Sequence, residues 1–161
     1  MKKLTILLAL LASSIESFAI GQMGLSGEWK LSAADGCIPA GLPVAVPGDV
    51  HSALLEAGLI KDPYYAFKEM ENLWVGRCDW IISRTFIVDE SFLRHAAIYL
   101  RAEDVDTFSD ITINGHKVGS TTNRFRRREW DVKPYLVAGE NVIEGFFHSA
   151  ENIMDCLTFL Q

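Results

Sequence analysis

Apolar and polar positions alternate in short runs along most of the chain, the period of a half-buried β-strand. In GEWKLSA, residues 27–33, Trp29 and Leu31 alternate with polar neighbours. WIISRTFIVD, residues 80–89, is rich in β-branched and aromatic side chains. HAAIYLRAE, DTFSDITI, HKVGST, EWDVKPYLV and NVIEGFFHS follow it. Such side chains suit a pleated surface. Short runs separated by turn signals predict an antiparallel sandwich or barrel and argue against a parallel βαβ sheet. The sharpest turn is Asn114-Gly115, two residues comfortable at positive φ between apolar runs, which predicts a type I′ hairpin with Ile111, Ile113 and Val118 on its apolar side. A second turn is AGEN, residues 138–141, with Gly139 at positive φ.

One stretch breaks this period. In VPGDVHSALLEAGLIKDPYY, residues 46–65, the apolar positions Val50, Ala53, Leu54 and Ala57 fall at i, i+3, i+4 and i+7, one helix face. Asp49 is placed to cap the first free N–H groups and Gly58 to take a left-handed C-terminal position. Pro63 then disfavours helical geometry at Asp62, so the chain extends.

The first residues have a pattern of their own. Met1-Lys2-Lys3 precedes an apolar run, LTILLALLASSI, and SFA puts small residues where a signal peptidase cuts. The run is too short to span a bilayer. Residues 1–19 are therefore expected to be a signal peptide, and the mature chain to be exported, without membrane attachment after cleavage.

Composition narrows the chemistry. The chain has 161 residues, 49% hydrophobic and 22% charged, enough for one domain with a real core. Its formal net charge of -6 argues against a nucleic-acid partner. Cys37, Cys78 and Cys156 form no C-x-x-C pair, which disfavours zinc and thioredoxin-like chemistry by spacing. An exported chain would oxidise one pair and leave one thiol over; three unpaired thiols are the equal alternative. His51 lacks a second histidine at ligand spacing and reads as a surface residue. RFRRRE, residues 124–129, reads as a solvated face or loop, because nucleic-acid binding wants interleaved aromatics and a wider basic field. A glycosidase needs two carboxylates across the scissile bond, and no spacing here nominates such a pair. Trp74 and Trp80 flank VGRCD; they are either sugar-stacking rings or core plugs.

Taken in order, VPGDVHSALLEAGLIKDPYY, LWVGRCDWIISRTFIV, VDTFSDITINGHKVGSTTNRF and LVAGENVIEGFFHSA resemble the amino-terminal domain of β-mannosidases of glycoside hydrolase family two. The strand–Asn-Gly–strand and L-x-x-G-x-N segments are shared with β-galactosidases and β-glucuronidases. The VPGDVHSALL and WV…DW segments are more specific to the mannosidase branch. The resemblance covers roughly residues 28–150, and ENIMDCLTFLQ after it departs from the pattern.

The resemblance implies an all-β fold, a jelly-roll β-sandwich of galactose-binding-like type with one short amphipathic helix, spanning residues 20–161 and lacking its last strands. A sandwich cut in that way is expected to be marginally stable. The resemblance also implies partner domains in the parent chain, an immunoglobulin-like domain and a (β/α)₈ barrel that carries both catalytic glutamates. The substrate would be a β-mannoside; no catalytic residue, metal or cofactor is expected in the sandwich. Glu69, Trp74 and Trp80 are the candidate substrate-binding residues. Lys68 departs from the asparagine common at that place in the family. The export route implies a periplasmic or secreted protein, or a lysosomal one in a eukaryote. Two alternatives stand beside this reading: a freestanding carbohydrate-binding module, and the inactive product of a truncated gene.

Overall fold

The computed structural model describes residues 21–62 and 68–158, without the side chains of Lys68, Glu69, Cys156, Leu157 and Thr158. The signal peptide expected at residues 1–19 lies outside the described residues, as do Pro63, Tyr64 and Tyr65 of the DPYY segment.

Antiparallel pairing organises everything else. The strands are β1 (Gly27–Ala33), β2 (Leu42–Val46), β3 (Trp80–Val88), β4 (Tyr99–Ala102), β5 (Ser109–Ile113), β6 (His116–Thr121), β7 (Arg128–Asp131) and β8 (Gly139–Phe147). Six form one sheet in the order β2-β1-β3-β8-β5-β6, and β4 pairs with β7 in a second. The period of two decides which side chains meet between the layers. Leu31, Val44, Ile111, Ile113 and Ile143 from the large sheet are buried with Ile98 and Val132 from the small sheet's side.

The Asn114-Gly115 hairpin forms as the sequence predicts, with φ of 50° and 78° and Ile113 paired with His116. Ile111 and Ile113 are buried and Val118 is half-buried. The register shifts between Ile111 and Thr112, a bulge that leaves Val118 outside the one-to-one pairing. Gly139 takes a φ of 94°.

Helix α1 (Val50–Glu56) follows its sequence signals closely. Asp49 accepts from the Ser52 N–H at 2.9 Å and the Ser52 hydroxyl at 2.8 Å, and these bonds, the backbone one foremost, hold its carboxyl below the usual range. At the other end Gly58, φ 70°, donates to Leu55 O and Leu59 donates to Leu54 O, a Schellman cap. The helix packs on β2. Its buried face is Ala53 and Leu54; Ala57 is the C-cap residue and exposed, because the helix ends one residue before it.

Among the described residues, the short helices α2 (Lys68–Asn72), α3 (Trp74–Arg77) and α4 (Glu90–Leu93) interrupt the strands, and α5 (Ala150–Thr158) follows the last of them. The strand expected through EWDVKPYLV stops at Asp131 and turns into a 3₁₀ segment, Lys133–Tyr135. Pro134, which has no N–H to give a ladder, accounts for the break. The sequence pattern does not predict β2, an edge strand whose Pro43 sits among glycine-rich turns.

Candidate functional site

Pairing register sorts the loops to two ends. Ala33, Trp80, Phe147, Ser109 and Thr121 form one row across β1, β3, β8, β5 and β6. The tight turns at Asn114-Gly115 and Gly139 are at the far end of these strands. Beyond the row lie residues 34–41, helix α3 with residues 78–79, residues 103–108, residues 122–127 and helix α5. The chemistry-bearing loops therefore share one end of the sandwich. Buried rivets hold it: the Ser109 and Thr121 hydroxyls are 2.7 Å apart, Thr121 donates to Thr107 O at 2.8 Å, and the His148 N–H donates to Phe108 O at 2.9 Å.

At one corner of this end are the tryptophans. Trp80 is only 6% exposed, and its indole N–H donates to Val75 O at 2.9 Å. Trp74 is half-buried against the core, its ring 6.1 Å from that of Trp80 and tilted 48°. Of the three sugar candidates, Trp74 is thus the partly exposed ring and Trp80 the buried one beside it. Glu69 belongs to α2 by its backbone, and its side chain lies outside the described residues. Asn72, at the end of α2, is buried and donates to Lys61 O at 2.9 Å. His51 is exposed.

Helix α5 straps this corner. Ser149 caps it by accepting from the Asn152 N–H at 3.1 Å, while its own hydroxyl donates to Gly76 O at 2.7 Å. The Ser149 N–H donates to Asp79 at 2.7 Å, Asn152 donates to Arg77 O at 3.0 Å, and Arg77 pairs with Glu151 at 3.0 Å. A Cβ on Gly76 would meet the tip of the Glu151 side chain, Oε1, at 2.7 Å, so a larger residue there would displace the Glu151 carboxylate.

At another corner a shallow cleft of about 170 Å³ is lined by Glu103, Asp104, Arg124, Phe125 and Arg127. Arg127 pairs with Glu103 at 2.8 Å and Arg124 with Asp106 at 3.1 Å. Phe125 is 86% exposed as a residue, with the Arg124 guanidinium over its ring 5.6 Å from the centroid. An open aromatic face beside paired carboxylates and guanidinium groups offers one apolar and several hydrogen-bonding contacts to a polar ring. The sequence reading of residues 124–129 as a solvated face or loop holds for the loop residues 124–127, whereas Arg128 and Glu129 open β7 and pair with β4, and it leaves this cleft unseen. Its walls come from two loops some twenty residues apart. The signal available was Phe125 itself, an aromatic set among arginines outside any strand.

On the outer face of the large sheet, Asp110 receives Lys117 at 2.8 Å, the Ser120 hydroxyl at 2.7 Å and His148 at 3.5 Å. Lys117 and then Ser120 hold its carboxyl down at about 2. The fold also gathers Asp35, Cys37 and Cys78, whose donor atoms lie within 4.8 Å of one another. That is one ligand short of a structural zinc site.

The sequence profile of the glycosyl hydrolase 2 galactose-binding domain-like family matches residues 29–156. The chain belongs to that family. The family match corrects the limit drawn from the sequence: it runs past Ala150 into ENIMDC, which folds as α5 and is part of the domain. The fold is accordingly the galactose-binding-like β-sandwich of jelly-roll type. The chain is 35% identical to a β-mannosidase of Capra hircus over 145 residues, which is 89% of this chain and 16% of that protein. It is 33% identical to β-mannosidase A of Emericella nidulans over 152 residues, 92% of this chain and 16% of that protein. Among solved structures, the β-D-mannosidase of Dictyoglomus thermophilum aligns with a TM-score of 0.78 at 41% identity, over 81% of this chain and 16% of that one. The chain thus spans about a sixth of the length of each of these relatives, and this family domain is what it shares with them. Among the described residues, no helix is long and apolar enough to cross a membrane.

Proposed function

We propose that this sandwich is the amino-terminal accessory domain of a retaining glycoside hydrolase that removes terminal β-D-mannosyl residues. In this reading its loop-bearing end helps wall a sugar pocket, and the two catalytic glutamates sit on a barrel domain of the parent chain. The observation that carries the reading is the likeness to the Dictyoglomus thermophilum β-D-mannosidase, 41% identical with a TM-score of 0.78. Trp74 is the sugar-facing ring of its corner, Glu69 a polar neighbour on α2, and Trp80 the floor that fixes the Trp74 ring. The partners are a β-mannoside and the immunoglobulin-like and barrel domains, with no role for nucleic acid or a membrane. Export through residues 1–19, to the periplasm, the medium or a lysosome, belongs to the same proposal.

A second reading, a freestanding carbohydrate-binding module, draws support from the exposed Phe125 ring beside its polar cleft. Two assays on the purified chain test these readings, and the second separates them. With an aryl β-D-mannoside, the accessory-domain reading predicts no release of the aryl alcohol above buffer, and turnover by the chain alone contradicts it. Titration with mannobiose to millimolar concentration is expected to give no saturable heat. Saturable binding that disappears in Phe125→Ala would favour the module.

A further inference from the structure

Cys37 and Cys78 are 41 residues apart in sequence, and the fold brings their sulfur atoms to 3.8 Å. Neither position is accidental. Cys37 lies in the β1–β2 connection, where Ala34 donates to Asp79 O at 2.9 Å and so ties that connection to the residue after Cys78. Asp35 accepts from the Cys37 N–H at 3.0 Å, and Ile38 is buried, pinning the loop on both sides of the cysteine. Cys78 is held between α3 and β3, next to Asp79, which α5 grips through Ser149. Cys37 is exposed and Cys78 half-buried, so an external reagent can reach the pair.

We propose that Cys37 and Cys78 form a structural disulfide that staples the β1–β2 loop to the Trp74 corner. The sulfur atoms need to close by rather less than 2 Å to reach bonding distance, within reach of side-chain rotation. The oxidant is an external disulfide, small or protein-borne. Each cysteine gives up one proton, the pair gives up two electrons, one S–S bond forms, and the oxidant's S–S bond is broken to give two thiols. The bond closes a loop that contains β2 and helices α1, α2 and α3, which removes freedom from the unfolded chain.

The surroundings favour a lasting bond over an exchange catalyst. Partial desolvation, then Asp35 and the neighbouring sulfur, push the Cys37 thiol up to about 12. Desolvation and the Asp35 and Asp79 carboxylates also raise that of Cys78. High-pKa thiols are poor leaving groups, so once formed the disulfide resists reduction. A catalytic cysteine pair has the opposite environment, with cations or a helix N-terminus lowering a thiol.

The test incubates the folded chain with oxidised glutathione, alkylates with iodoacetamide and digests with trypsin without reduction. The proposal predicts that residues 31–61 and 78–84 appear as one linked peptide, with Cys156 alkylated. Dithiothreitol should then lower Tm by roughly 10 °C, and the Cys78→Ser chain should show no such response. Alkylation of both Cys37 and Cys78, or linkage of either to Cys156, overturns the proposal. So does protection of the two thiols that EDTA removes and dithiothreitol does not, since that is the behaviour of a bound soft metal. Because the oxidant is added in the test, the result does not depend on export or on sugar chemistry.

Discussion

Replacing Asn141 with aspartate is expected to destabilise the sandwich by about 4 kcal/mol, and replacing it with alanine by about 3 kcal/mol. Asn141 is fully buried, and its amide uses its whole hydrogen-bonding capacity. Its oxygen accepts from the Asn114 amide at 2.8 Å and the Val137 N–H at 2.9 Å. Its nitrogen donates to Val137 O at 2.8 Å and Gly139 O at 3.0 Å. Asn114 extends the network by donating to Tyr135 O at 2.8 Å and accepting from Val142 at 2.9 Å. Alanine would strip these bonds and leave backbone groups unpaired. Aspartate keeps the shape but turns an acceptor toward two carbonyl oxygens and buries a charge, so it should cost at least as much. Urea denaturation at neutral pH measures both losses. A loss under about 1 kcal/mol for either variant would show that water or relaxation replaces the network. The same bonds explain why Asn-Gly and G-x-N belong together in this fold: the two asparagines join the β5–β6 hairpin turn to the start of β8.

The second large effect is steric. A Cβ on Gly119 would lie 2.1 Å from Trp130 Cε2 and Nε1, far inside ordinary contact. Gly119 is on β6 and Trp130 on β7, so this contact joins the large sheet to the small one. Gly119 does not take the left-handed conformation, so alanine carries no backbone penalty there. The cost is overpacking alone, and Gly119→Ala is expected to lose about 3 kcal/mol as Trp130 is driven from its seat. A double-mutant cycle isolates the cause. In a Trp130→Ala background the same substitution should cost less than about 0.5 kcal/mol. An unchanged cost in that background would place the strain elsewhere.

What the sequence made legible follows from where each signal is stored. Antiparallel strands with one face inward write a period of two into the chain, and Trp29, Leu31, Ile111 and Ile113 are buried as that period requires. The hairpin turn and both caps of α1 were readable because Asn114, Gly115, Asp49 and Gly58 act within a few residues of themselves. Helices α3 and α4 are a single turn each, too short to show any period. Strand β2 is held by its partner β1, not by its own composition, and α5 is fixed through Ser149, Asp79 and Gly76 from distant parts of the chain. The site end was the least legible for the same reason. The Phe125 cleft and the Cys37–Cys78 approach are both made by loops that meet only once the sheet has formed. Spacing rules such as C-x-x-C do not see such encounters.

The proposed role is tested most directly by exchange of domains. The amino-terminal sandwich of the Dictyoglomus thermophilum β-D-mannosidase is replaced by residues 21–158 of this chain, and kcat/KM is measured on aryl β-D-mannoside and aryl β-D-glucuronide. A folded chimera is predicted to keep β-mannoside hydrolysis within about tenfold of the unaltered enzyme (about 1.4 kcal/mol) and to leave the glucuronide untouched. A chimera that unfolds cooperatively yet has lost β-mannoside hydrolysis, or has turned to the glucuronide, would contradict the account.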